Sequence, residues 1–146
     1  MATGKVAEVN DGFVEMFGYN RDEVIGFSTI DLGLWTNPSD RERMISILKT
    51  EGSIKNFEAT GKRKNQELFT ALISGELVFI DNEQMLLLTI RDITDRKKLE
   101  AALKTEKDRI NAILNLVGDP IFVKDNQHRF TLGNKAFYEM VGFDEN

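Results

Sequence analysis

Apolar positions in this chain fall first at helical spacing, then in alternation, then at helical spacing again. Residues 4–9 read as a short strand. Asn10 stands where an N-cap belongs, and Phe13, Met16 and Phe17 share one helical face up to Gly18, which closes the helix. Asn20 to Glu23 has the capping-box pattern of a second short helix ended at Gly26. Residues 28–35 read as an irregular turn or short helix. Asn37-Pro38-Ser39-Asp40 is a strong helix start, with a capping Asn, Pro at the first helical position and acid in the first turn. Met44, Ile47 and Leu48 form the buried stripe of that helix, and Gly52 ends it.

Alternation then takes over. Ile54–Thr60 is a predicted strand, and Glu67–Ile80 is a long one with Gly75 marking a bulge inside it. A turn at 81–84 leads to Met85–Ile93, the most apolar strand. Its Met-Leu-Leu-Leu run implies cover on both faces, one by the helices and the other by the next segment.

That segment, 94–117, contains neither Gly nor Pro. Leu99, Leu103, Glu106, Ile110, Ile113 and Val117 fall at 4-3-4-3-4 spacing, an a/d seam with one polar position. The helix is about 36 Å long at 1.5 Å per residue. Two readings stand: an amphipathic helix lying on its own sheet, or a parallel two-stranded coiled coil between subunits. Gly118-Asp119-Pro120 then breaks the chain. Ile121–Val123 and Arg129–Leu132 form a predicted hairpin, and Asn134 caps another helix.

The start of the chain returns near its end. Asn10, Phe13, Glu15, Met16 and Gly18 recur without a gap as Asn134, Phe137, Glu139, Met140 and Gly142. Lys5, Val6 and Tyr19 recur conservatively as Arg129, Phe130 and Phe143. A repeat at constant offset indicates tandem units of one type.

Composition narrows the chemistry. The 146 residues carry 41% apolar and 29% charged side chains, as an ordinary soluble globular chain does. A net charge of −5 argues against nucleic acid and anionic membrane as partners. With no cysteine there is no disulfide, thiolate metal site or thiol nucleophile. No signal peptide and no apolar run of spanning length is present, so the expectation is a cytoplasmic segment without direct membrane insertion, whose parent protein can carry its anchor elsewhere. Enzymatic constellations are missing: there is no phosphate-cradling Gly loop and no HExxH, and the one histidine, His128, falls in a hairpin turn. The acidic pairs Asp22/Glu23 and Asp40/Glu42 read as helix-start residues rather than acid–base catalysts.

The stretches VNDGFVEMFGYNRDEVIG (9–26), DLGLW (31–35), SDRERM (39–44), KNQELFTALISGEL (64–77) and LLTIRDITDRKKLE (87–100) together resemble a PAS domain of the sensory-box, PAS-PAC type found in bacterial signalling proteins, two-component systems among them. Residues 119–143 resemble the opening of a second, tandem PAS domain. The resemblance implies an α+β fold, an antiparallel sheet in spatial order 2-1-5-4-3 with helices on one face, followed by the long helix. It implies a core over 1–93 lacking its first strand, a connecting signalling helix over 94–117, and the start of a second unit over 118–146. It also implies that Asp92 and Thr94, within Arg91-Asp92-Ile93-Thr94, tie the core to the departing helix. Without its first strand, Met85–Ile93 would present an open apolar edge. The segment 118–146 carries a matching strand, which would close that edge in a strand-swapped homodimer or, as the less favoured arrangement, within its own chain. The alternative is that 118–146 is a loosely packed stub.

A pocket between sheet and helices is the family's usual sensing device. Its candidates by phase are Phe13, Met16, Phe17, Leu34, Trp35, Met44, Leu48, Ser74, Leu86, Leu88 and Ile90, with Ser74 and Thr89 as interior polar groups. The same side chains can equally fill a core with no cavity, and Trp35 can stack on a ligand or simply pack. Residues 37–51 contain no histidine, which argues against His-ligated heme, and the lack of cysteine excludes cysteinyl-flavin photochemistry. Non-covalent flavin or a small metabolite stays open. The expected function is a non-catalytic sensory module that dimerises and relays a signal through its helix to an output domain outside this chain. The alternative is a module whose main role is binding a small molecule or flavin.

Overall fold

A computed structural model describes residues 4–142, so Phe143 of the repeat, and the end of the segment 118–146, lie outside the described residues. The chain divides into two compact units between Lys97 and Lys98.

The first unit opens with α1 (Asp11–Phe17), α2 (Arg21–Val24) and α3 (Pro38–Glu51). Each starts where the sequence supplies a cap. Asn10 accepts from the Phe13 N–H at 3.0 Å and Asn37 from the Ser39 N–H at 3.2 Å. The Asn20 N–H donates to the Glu23 carboxylate at 2.9 Å. Gly18 and Gly52 end α1 and α3 in the left-handed region, at φ 76° and 75°. Residues 28–35 are turns, with Ser28 and Asp31 bonding reciprocally through side chain and backbone. The expected strand at 4–9 is reduced to two isolated bridges, Lys5 to Ser28 and Val6 to Ile25. This segment pairs with a turn rather than a strand, so no ladder extends along it.

Three strands follow: β1 (Ser53–Lys62), β2 (Leu68–Ile80) and β3 (Glu83–Asp92), antiparallel in the order β1-β2-β3. The bulge expected at Gly75 lies on β1 instead. Ile54 pairs with Gly75 and Phe57 with Ile73, so Lys55 and Asn56 together face one residue of β2. Asn56 takes φ 54° there, and its N–H donates to the Ser74 hydroxyl at 3.1 Å. Gly75 serves close approach: a Cβ would lie 2.4 Å from the Leu88 side chain and 2.7 Å from the Leu87 carbonyl oxygen.

One face of the sheet forms the core. Phe57, Ala59, Phe69, Ala71 and Ile73 pack with Phe17, Leu34, Met44 and Leu48, so the helices cover this face. Leu86, Leu88 and Ile90 are partly buried against the same cluster. The cover expected on both faces of β3 is present on one only, since Leu87 is 57% exposed. β3 is an edge strand of this sheet.

α4 (Thr94–Leu116) is one helix of 23 residues with none buried. Beyond it, β4 (Phe122–Lys124) and β5 (Phe130–Gly133) form a two-stranded antiparallel sheet, and α5 (Lys135–Val141) follows. Phe122, Phe130 and Phe137 cluster with centroids 4.9 to 5.4 Å apart. The repeat is reproduced in the backbone. Asn134 has φ −88°, ψ 171° against −88°, 174° for Asn10, and Gly142 has φ 75° against 76° for Gly18.

Candidate functional site

The polar chemistry of the first unit converges where β3 runs into α4. The Asp92 carboxylate accepts two hydrogen bonds. Its Oδ1 takes the Thr94 N–H at 2.8 Å, and its Oδ2 takes the Arg63 guanidinium at 2.5 Å. A carboxylate suits this place because the first N–H groups of a helix lack intrahelical acceptors. The Thr94 hydroxyl in turn accepts the Thr70 N–H at 2.8 Å, and the Ile93 N–H donates to the Thr70 carbonyl at 2.9 Å. Lys97 in the first turn of α4 pairs with Glu58 on β1 at 2.8 Å. The root of α4 is thereby bonded to β1 and β2 and to the end of β3.

Arg63 extends the network to the helices. It lies in the β1–β2 connection, and its other guanidinium nitrogen donates to the Met16 carbonyl near the end of α1. Its guanidinium also lies over the Phe69 ring, 4.7 Å from the centroid. Beside it, the Lys64 N–H donates to the Phe17 carbonyl at 2.9 Å, and Lys64 Nζ holds both oxygens of Glu23 at 2.6 and 2.7 Å. Arg63 through its guanidinium and Lys64 through its backbone N–H therefore both serve the carbonyl end of α1, whose last C=O groups lack intrahelical donors. An open cleft of about 470 Å³ lies along this junction, lined by Met16, Phe17, Arg63 and Lys64 among others.

The electrostatics follow the bonds. Burial alone would raise the Asp92 pKa, but the Thr94 hydrogen bonds and the charge and hydrogen bond of Arg63 outweigh it and hold the group below its ordinary value. The Lys64 hydrogen bond, helped by the Asn20 N–H, lowers Glu23 likewise. The junction has no nucleophile beside a base. Its groups are paired cations and carboxylates bonded to backbone, an arrangement that fixes three elements relative to one another.

The resemblance set Asp92 and Thr94 at this junction, and they bond directly. It missed Arg63. The signal available was an arginine in a turn otherwise read only as a connection, while Asp92 stood in the sequence without a named cationic partner.

The pocket candidates separate into two groups. Phe17, Leu34, Met44 and Leu48 are buried, and Phe13, Met16, Trp35, Leu86, Leu88 and Ile90 pack partly buried against them. Trp35 donates through Nε1 to the Thr29 hydroxyl at 3.2 Å. Ser74 is not with them. It pairs with Thr89, while the alternate pair Ile73 and Ile90 faces the core, so Ser74 and Thr89 point to the outer face of the sheet. There they line a second cleft with Asn56, Leu72 and Arg91. The bulge on β1 is what Ser74 serves. Along α4, Leu99 and Leu103 are 71% and 73% exposed, Ile110 and Ile113 are also open, and so is Val117 just past its end. Glu106 on the same seam lies 3.9 Å from Arg109. Among the described residues no group of His, Asp or Glu side chains could hold a metal ion, and no helix is long and apolar enough to cross a membrane.

Comparison with known proteins adds the lineage. A family model described as a PAS domain matches residues 1–95, and a second model of the same description matches residues 108–146. The second copy is therefore a partial one. A methyl sulfide methyltransferase-associated sensor of Methanosarcina acetivorans is 30% identical over 112 residues, which are 75% of this chain and 11% of that protein. The chain thus spans about a tenth of the length of this relative. The PAS domain of a Colwellia psychrerythraea protein superposes with a TM-score of 0.54 at 24% identity, over 64% of this chain and 81% of that one. An RNA-binding light-oxygen-voltage receptor superposes with a TM-score of 0.60 at 16% identity, over 74% of this chain and 31% of that one. Likeness at these identities concerns the fold.

Proposed function

The chain belongs to the PAS domain family, and from that premise we propose that it is a non-catalytic sensory module that passes a change in its core to α4. The observation that carries this reading is the double use of the Asp92 carboxylate, which accepts from Thr94 at the root of α4 and from Arg63, itself bonded to α1. A shift of α1 against the sheet has a short polar route to the helix. The 30% identical sensor supports the same direction. The exposed seam through Leu99, Leu103, Ile110 and Ile113 supports parallel association of α4 in a homodimer, the element with two packings that a switch requires. The output domain belongs to the rest of a longer signalling protein, and nucleic acid is not its partner.

Hydrogen exchange on the 146-residue chain tests the relay. Asp92→Asn should speed exchange at the amides of residues 94–97, while Trp35 fluorescence reports an intact core. Unchanged protection at those amides would refute the route through Asp92. Analytical ultracentrifugation tests association separately.

A further inference from the structure

Asn134 caps α5 and holds the end of α4 with the same side chain. It is 1% exposed. Its Oδ1 accepts the Phe137 N–H at 3.0 Å and the Ile121 N–H at 2.8 Å. Its Nδ2 donates to the carbonyls of Leu114, Val117 and Asp119 at 3.1, 3.2 and 2.9 Å. Leu114 lies in the last turn of α4, where carbonyls lack intrahelical donors. Asn115, one residue on, accepts the Lys135 N–H at 2.8 Å. The last turn of α4 and the start of α5 are thus joined by two asparagines, one from each helix. The rest of α4 offers little to hold it. None of its residues is buried, and among the described residues the side chains of 101–113 bond only within the helix, Thr105 to the Ala101 carbonyl and Glu106 to Arg109. Helices in proteins draw most of their stability from a packed face, and α4 buries none. Its two ends carry the bonds instead: Asp92 and Thr94 at the root, Asn134 and Asn115 at the other. Helix order is cooperative along the chain, so a bond that steadies one end is felt at the other.

We infer that the second unit receives the signal carried by α4, and that Asn134 is the positioning residue through which it does so. The receiver is itself a PAS unit, by the match over residues 108–146. This rests on the relay reading, in which Asp92 sets the root of α4, and extends it past the helix. Loosening the root frays α4 toward its end and frees the Leu114 carbonyl from Asn134. The entry to β4 loosens with it, because the same amide holds that entry through the Asp119 carbonyl and the same Oδ1 holds the Ile121 N–H. Coupling of this kind is reciprocal in free energy, so order in the second unit tightens the root by the same factor. A ligand that orders either unit then favours order in the other.

Hydrogen exchange on the 146-residue chain reads both directions. Asn134→Ser keeps a capping oxygen and removes the donor that reaches α4. It should speed exchange at the amides of residues 94–97 about threefold, and Asp92→Asn should speed exchange at the β4 and β5 amides by the same factor. Lys135→Pro is the second variant. Proline suits the first position of a helix and has no N–H to give Asn115, so it cuts one bond and leaves β4, β5 and the Asn134 cap in place. It should speed exchange at 94–97 about twofold. Faster exchange confined to the second unit in both variants, with 94–97 unchanged, would overturn the inference, since Asn134 would then hold its own unit and nothing more. Unchanged β4 and β5 amides in Asp92→Asn, while 94–97 respond, would break the reciprocity and overturn it as well. A response of 94–97 to Asn134→Ser but not to Asp92→Asn would sink the Asp92 route and leave the joint at Asn134 standing.

Discussion

Arg63 and Asp92 are 29 residues apart in sequence and meet at 2.5 Å. The contact joins the β1–β2 connection to the last residue of β3, and both side chains are about three-quarters buried, at 21% and 28% exposure. Charge-assisted bonds in such a setting contribute more than a surface pair does. Arg63→Ala should lower unfolding free energy by about 1–3 kcal/mol. Arg63→Lys should recover only part of it, since one ammonium cannot serve Asp92 and the Met16 carbonyl in the same fork. Urea unfolding followed by Trp35 fluorescence reads both. Full recovery by lysine would show that charge alone matters there.

Acid should weaken the same junction. The folded-state pKa of Asp92 is lowered, so its contribution is present above the unfolded value of about 3.9 and is lost as pH falls through the folded value. The gap in urea midpoint between the natural chain and Asp92→Asn should be full at pH 7 and nearly full at pH 5. It should shrink below about pH 4. A gap that stayed constant down to pH 2 would mean that the Asp92 charge contributes nothing.

Gly75→Ala should destabilise the fold by about 1–3 kcal/mol. The added carbon meets the tip of Leu88, which can turn away, and the Leu87 carbonyl oxygen at 2.7 Å, which cannot. Gly118→Ala is the matched control, since nothing lies within 4 Å of its Cβ position. It should change stability by less than about 0.5 kcal/mol. Thermal or urea unfolding of the two variants decides.

Glu106→Leu should tighten self-association. Glu106 occupies the one polar position of the α4 seam, and two such carboxylates facing each other in a parallel dimer repel. Sedimentation equilibrium should show at least a tenfold fall in dissociation constant. An unchanged constant would mean that the seam is not the association surface.

Local signals carried far in this sequence, and pairing signals did not. Asn10, Asn37 and Asn134 each cap a helix as their sequence context requires, because a cap is decided within three residues. The 4-3-4-3-4 seam marked α4 by the same local logic. Gly75 was misread because a bulge belongs to two strands, and the extra residue lay on the partner, at Asn56. Ser74 and Thr89 were placed inside although Ile73 and Ile90 claim that face. Polarity suggested an interior role for them, and alternation across the β2–β3 pair decided otherwise. Arg63 was invisible for the same reason, since its hydrogen-bond partners Met16 and Asp92 come from two elements distant in sequence.

With no buried residue along it, α4 would depend on concentration under the association proposed above. Stability gained by association follows mass action, so the ordered fraction of such a helix rises with the number of copies present. Under the proposed association, a cell that doubled the amount of this protein would move the equilibrium of α4 without any ligand. Expression level would then be an input beside whatever the core detects, and dose–response curves measured at different protein concentrations should not superimpose.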